Sequence, residues 1–138
     1  MPTNPENCTV LTFRLTSFAH VWQGRAHTYA FPMLLYNVTI TVDLDVHEEW
    51  ARWMRHSHIP DIMATGMFVS YRMSRLMGHE HSDAEIYTMQ YLVKDMAHLR
   101  RYQEEFAPEL QRQHKERYEG KFAAFRTVME VVDHNEKE

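Results

Sequence analysis

Cysteine is almost missing from this chain. Cys8 stands alone among 138 residues, which excludes an internal disulfide and any thiolate set for a structural metal. A chain with no oxidised framework suits a reducing compartment, and we read it as cytoplasmic. Glycine is scarce as well, four in all, and none falls in the first strand-to-helix turn, Asp43-Leu44-Asp45-Val46. That excludes a glycine-rich phosphate cradle at the usual place. No stretch approaches the roughly eighteen uninterrupted apolar residues of a membrane helix, so no membrane partner is expected. Excess positive charge is also lacking: the net charge is −4 and the pI about 6.2, leaving no electrostatic footprint for nucleic acid. No Ser-His-Asp or Cys-His arrangement is legible, and Cys8 lies outside the part expected to fold.

What is present is enough for one domain with a real core: 44% apolar and 25% charged residues over this length. Residues 1–32 stand apart. They carry Pro2, Pro5 and Pro32, a single acid (Glu6), and apolar residues interrupted by Arg14, His20 and Arg25. Arg14 breaks the continuous apolar centre of a secretory signal, and only the scarcity of acids resembles a transit peptide. We read 1–32 as an N-terminal extension, disordered or translated from upstream of a true start at Met33, before a domain at 33–133 and a tail at 134–138.

Leu34 to Val42 alternates apolar and polar residues with period two, the mark of a half-buried strand. Asp43 and Asp45 are placed to cap a helix from His47 to Thr65, with Trp50, Trp53, Met54 and Ser57 on one stripe. Pro60 predicts a kink and a non-helical Ile59, and Gly66 a stop. Met67 to Met77 and Glu85 to Val93 read as strands joined by a polar hairpin turn. Asp95 caps a second helix with Leu99, Tyr102 and Phe106 inward. Pro108 opens a new helical piece, Glu109 to Tyr118, which Gly120 ends. Lys121 to Val132 is a last strand, with Phe125, Thr127, Met129 and Val131 toward the core.

The order strand, helix, strand, strand, helix, strand predicts an α+β, ferredoxin-like βαββαβ fold: a four-stranded antiparallel sheet with two helices on one face. The first and third strands are expected at its centre, running parallel. Alternation then leaves Leu35, Asn37, Thr39, Phe68, Ser70, Arg72, Thr88, Gln90, Leu92, Phe122 and Arg126 on the open face. So mixed a surface suits pairing with its own copy, and a homodimer is expected.

Four stretches carry a family resemblance: Leu35-Tyr36-Asn37-Val38-Thr39, His58-Ile59-Pro60-Asp61-Ile62-Met63-Ala64-Thr65-Gly66, Tyr102-Gln103-Glu104-Glu105, and Phe122-Ala123-Ala124-Phe125-Arg126-Thr127. Over about Met33 to Val132 the chain resembles the short bacterial proteins of the DUF4286 family. Its pattern in turn resembles the dimeric α+β barrels, which include cofactor-independent monooxygenases, haem-degrading enzymes and non-catalytic stress proteins. The resemblance implies fold and dimer, and gives no substrate.

The candidate ligand-binding or dimer-interface residues are Asn37, Arg72, Thr88, Gln90 and Arg126, polar groups on the open face of the kind that orient a small ligand or a facing subunit. The candidate pocket residues are Trp53, His58, Asp61 and Tyr91. His56 and His58 point about 200° apart on a regular helix and cannot share a metal unless Pro60 unwinds the turn. His79-Glu80-His81-Ser82-Asp83 has the composition of a metal loop but also of any solvated turn, and we expect no metal and no cofactor. His98 and His114, among arginines and glutamates, read as part of a solvated face. An RNA-reading sheet would expose aromatics, whereas Tyr87 and Tyr91 share the apolar face with Met89. The reading is a small homodimeric protein with a binding or structural role and no clear catalysis, open to a small-molecule ligand. The alternative is a barrel enzyme resembling cofactor-independent monooxygenases.

Overall fold

The computed structural model describes residues 33–79 and 83–135. The expectations for residues 1–32, the tip of the hairpin turn at 80–82 and the tail beyond 135 lie outside them.

Four strands form one sheet: β1 (Leu34–Asp43), β2 (Phe68–Arg75), β3 (Ala84–Val93) and β4 (Phe122–Glu130), in the order β2-β3-β1-β4. All three pairings are antiparallel. The first and third strands are central as expected, but they run antiparallel, not parallel. The connectivity demands it: the helical crossover makes β2 parallel to β1, and the β2–β3 hairpin then reverses β3.

The two crossovers are continuous helical arms, each with a wide turn in the middle. The first runs α1 (His47–Trp53), a π-helical turn (Met54–His58) and α2 (Ile59–Ala64). The second runs α3 (Met96–Arg101), a π-helical turn (Tyr102–Phe106) and α4 (Ala107–Arg117). Pro60 and Pro108 stand two residues past the end of their wide turns. A proline has no N–H to give and crowds the carbonyl four residues back, and the opened ladder of a π turn removes both conflicts. Ile59 therefore keeps helical angles (φ −64, ψ −43), against the expectation of a break. The wide turn holds one extra residue, so positions beyond it slip by about 100°. Ser57, expected on the buried stripe, is exposed, and His58 takes its place beside Trp50, Met54 and Ile62.

Caps are partly as expected. Asp95 Oδ1 accepts the backbone N–H of His98 at 2.8 Å. Gly66 and Gly120 close the arms at φ +75 and +74. Asp43 and Asp45 do not cap α1, whose first turn has no side-chain cap. Both carboxylates are drawn to Lys121 instead, Asp45 at 2.8 Å.

The core lies between the sheet and the arms: Tyr36, Val38, Ile40 and Val42 of β1 and Tyr87, Met89, Tyr91 and Val93 of β3 meet Trp50, Met54, Ile59, Leu99, Tyr102 and Leu110. Two strands depart from the expected alternation. In β2 a bulge between Phe68 and Ser70 turns Phe68 inward, where it stacks on Tyr36 at 6.1 Å. In β4 the register pairs Val42 with Phe122, Ile40 with Ala124 and Val38 with Arg126. Phe122 and Arg126 thus belong to the helix side, and Phe125, Thr127 and Met129 to the open face, the reverse of the expectation. A shift of one residue flips a whole strand.

Candidate functional site

Two histidines from the two arms meet beneath the helices. His58 ends the first wide turn and His114 lies on α4, and both are buried, 7% and 5% exposed. Their ring centres are 5.6 Å apart. Trp53 stacks on His58 at 4.7 Å, and Phe122 meets His114 edge-on at 4.1 Å. The Trp50 indole N–H donates to His114 Nε2 at 2.8 Å. In a neutral imidazole an accepting Nε2 leaves the proton on Nδ1, so Trp50 sets the tautomer of His114.

His58 is unlike its neighbour: its buried Nδ1 has no hydrogen-bond partner among the described residues. Such an orphan is uncommon in a protein interior and needs a reason. Burial, the main cause, pushes the His58 pKa down to about 4; Arg126 adds to this and Asp61 opposes it. Burial likewise pushes His114 down to about 3, with His58 and Arg126 adding to it. Both rings are therefore neutral near pH 7.

The pair lines a small pocket of about 60 Å³, whose wall also includes Tyr36, Val38, Met89 and Tyr91 of the sheet and Met54, Tyr102 and Leu110 of the arms. Arg126 reaches it from β4, and among the described residues no aspartate or glutamate lines it. Burial raises Tyr91 and Tyr102 above the usual phenol range, so both keep their protons.

Of the expected pocket residues, the structure brings His58 and Tyr91 to this cavity and puts Trp53 behind His58. Asp61 is exposed and does not line it. Arg126, expected on the open face, lines the cavity. Asn37, Arg72, Thr88 and Gln90 are on the open face, where Gln90 pairs in register with Asn37 and Arg72. Asn37 donates to Thr39 and Thr127 hydroxyls at 3.2 Å each, and its buried Oδ1 has no partner among the described residues. A shallow hollow of about 220 Å³ adjoins it, with Leu35, Arg72, Gln90 and Leu92 in its wall.

His114 is a correction: it is buried in the site, not part of a solvated face. Its charged neighbours Arg112, Lys115 and Glu116 hid the four-residue spacing Leu110, His114, Tyr118, which marks a buried stripe. Tyr102 and Trp50 were legible as core but not as parts of a polar site. His79 of the hairpin turn pairs with Glu85 at 3.2 Å. Among the described residues no group of three or more His, Cys, Asp or Glu is placed to hold a metal ion, and no helix is long and apolar enough to cross a membrane.

A four-stranded antiparallel sheet in this order, with both helices over one face, is the ferredoxin-like class. The model of the DUF4286 family, a domain of unknown function, matches residues 33–132, and the chain belongs to that family. Among solved structures it is similar to a dimeric ferredoxin-like protein from an uncultured marine organism (13% identity, TM-score 0.56, 75% of this chain and 99% of that one). It is also similar to an ethyl tert-butyl ether d (ethd) family protein from Bacillus halodurans (10%, TM-score 0.56, 72% and 99%). A third is a variant of SnoaB, a cofactor-independent oxygenase from Streptomyces nogalater (13%, TM-score 0.54, 74% and 95%). At these identities the likeness carries the fold alone. No curated protein matches the chain in sequence.

Proposed function

We propose that this protein is a homodimeric binding module of the cytoplasm, in which two copies pair through the open faces of their sheets and each keeps its own cavity beneath the helices. The observation that carries the dimer is the open face itself. Phe125 is 57% exposed and Met129 40% exposed, alongside Leu35 and Leu92. A second copy about a twofold axis covers the apolar groups. That a ferredoxin-like protein of similar fold is dimeric supports a dimer here. The near absence of cysteine supports the compartment.

A second reading, a barrel enzyme acting on a small molecule, is favoured by one feature: a neutral His58 with a free ring nitrogen beside a cavity, in a fold shared with a cofactor-independent oxygenase. We rank it second because neither histidine has a carboxylate positioned to orient it as a base among the described residues. Native mass spectrometry of protein purified from its host under non-denaturing conditions tests both parts. A mass of two chains with retained small molecules is expected. A bare single chain at low micromolar concentration contradicts the proposal.

A further inference from the structure

The cavity beneath the helices has a definite chemical bias. Its one full charge is Arg126, for which no carboxylate partner is found among the described residues. On the same wall are two imidazoles held neutral by burial, one with its Nδ1 proton set by Trp50, the other with a buried Nδ1 that has no partner among the described residues. Tyr91 and Tyr102, both kept protonated, also line this space. In a largely apolar wall the polar groups include several donors and the guanidinium, and no carboxylate of the described residues lines it. The Arg126 charge repels a cation from the imidazole lone pairs, and a purely apolar guest leaves the His58 nitrogen unsatisfied. About 60 Å³ is room for a few non-hydrogen atoms, since a water takes roughly 30 Å³.

We propose that the cavity binds a small monoanion of the carboxylate class, its charged end toward Arg126 and its oxygens on the ring N–H groups of His114 and His58. A carboxylate offers about four lone-pair sites, enough for a guanidinium and two imidazole donors at once. The inference rests on reading the cavity as a binding site and adds the class of ligand.

The test uses the full chain with acetate as probe and acetamide, its neutral counterpart of similar shape, as control. Imidazole ¹⁵N shifts of His58 and His114 report occupancy, and calorimetry gives affinity. Acetate is expected to shift both rings and acetamide to leave them in place. Arg126→Gln should weaken acetate binding at least tenfold, while Arg100→Gln, exposed on α3 and not in the cavity wall, leaves it unchanged. Both arginines are exposed, so neither change removes core packing. If acetamide shifts the rings as acetate does, or Arg126→Gln binds acetate as the parent does, the cavity is a binding site but the anion assignment is overturned. If neither probe moves the rings, the binding-site reading falls with it.

Discussion

Trp50 on the first arm and His114 on the second are joined by a buried hydrogen bond of 2.8 Å, indole N–H to Nε2. It ties the two crossovers together above the sheet and fixes which nitrogen of His114 carries the proton. Trp50→Phe keeps most of the aromatic packing and removes the donor. The orphaned Nε2 should lower stability by about 1–3 kcal/mol, read from urea denaturation. The ¹⁵N spectrum of His114 should lose its single-tautomer signature. An unchanged spectrum argues that another group sets the tautomer.

Acid should unfold this protein through its histidines. Both are depressed from 6.5, His58 to about 4 and His114 to about 3. The unfolded chain therefore binds more protons than the folded one once the pH falls below 6.5, and stability falls with pH. The contribution of each ring is fully present above pH 6.5, declines below it, and is gone by the folded pKa. The loss is on the order of 3 kcal/mol per ring by pH 4. Thermal melts between pH 7.5 and 4 should show a steady decline beginning near 6.5, and a Tm flat to pH 5 contradicts this.

His58→Phe separates function from stability. A phenyl ring retains the stack on Trp53 and removes the nitrogen that has no partner among the described residues. Stability at pH 7 should be equal or slightly higher, and its acid decline should be shallower. Ligand uptake, by contrast, should fall. A clear loss of stability at pH 7 means that His58 has a structural partner after all.

Much of the architecture could be read from the letters because β1 and β3 alternate cleanly and the stops at Gly66 and Gly120 are sharp. Three things could not. Bulging at Val69 and the one-residue phase of β4 invert Phe68, Phe122 and Arg126, and an edge strand with apolar residues on both sides gives no period to read. The π turns shift each arm's stripe, so His58 replaces Ser57 in the core. Prolines Pro60 and Pro108 announce some irregularity there, but not whether it is a break or a wide turn. The site itself was half legible: Trp53, His58 and Tyr91 were expected together, whereas His114 and Arg126 join them only once the arms and β4 are in place.

Gly120 makes the tight turn into β4 at φ +74, a conformation that L side chains avoid. Open space surrounds it, so only backbone strain opposes a larger residue. Gly120→Ala should lower stability by about 1–2 kcal/mol in urea denaturation, without altering oligomeric state.

Sedimentation equilibrium on three proteins tests the dimer most directly: the parent chain, Phe125→Glu and Arg126→Ala. Neighbours in sequence, these two residues lie on opposite faces of the sheet. The account predicts twice the chain mass of 16.6 kDa for the parent and for Arg126→Ala, and a single chain for Phe125→Glu. A monomeric parent, or a dimer that survives Phe125→Glu and dissociates with Arg126→Ala, contradicts pairing through the open face.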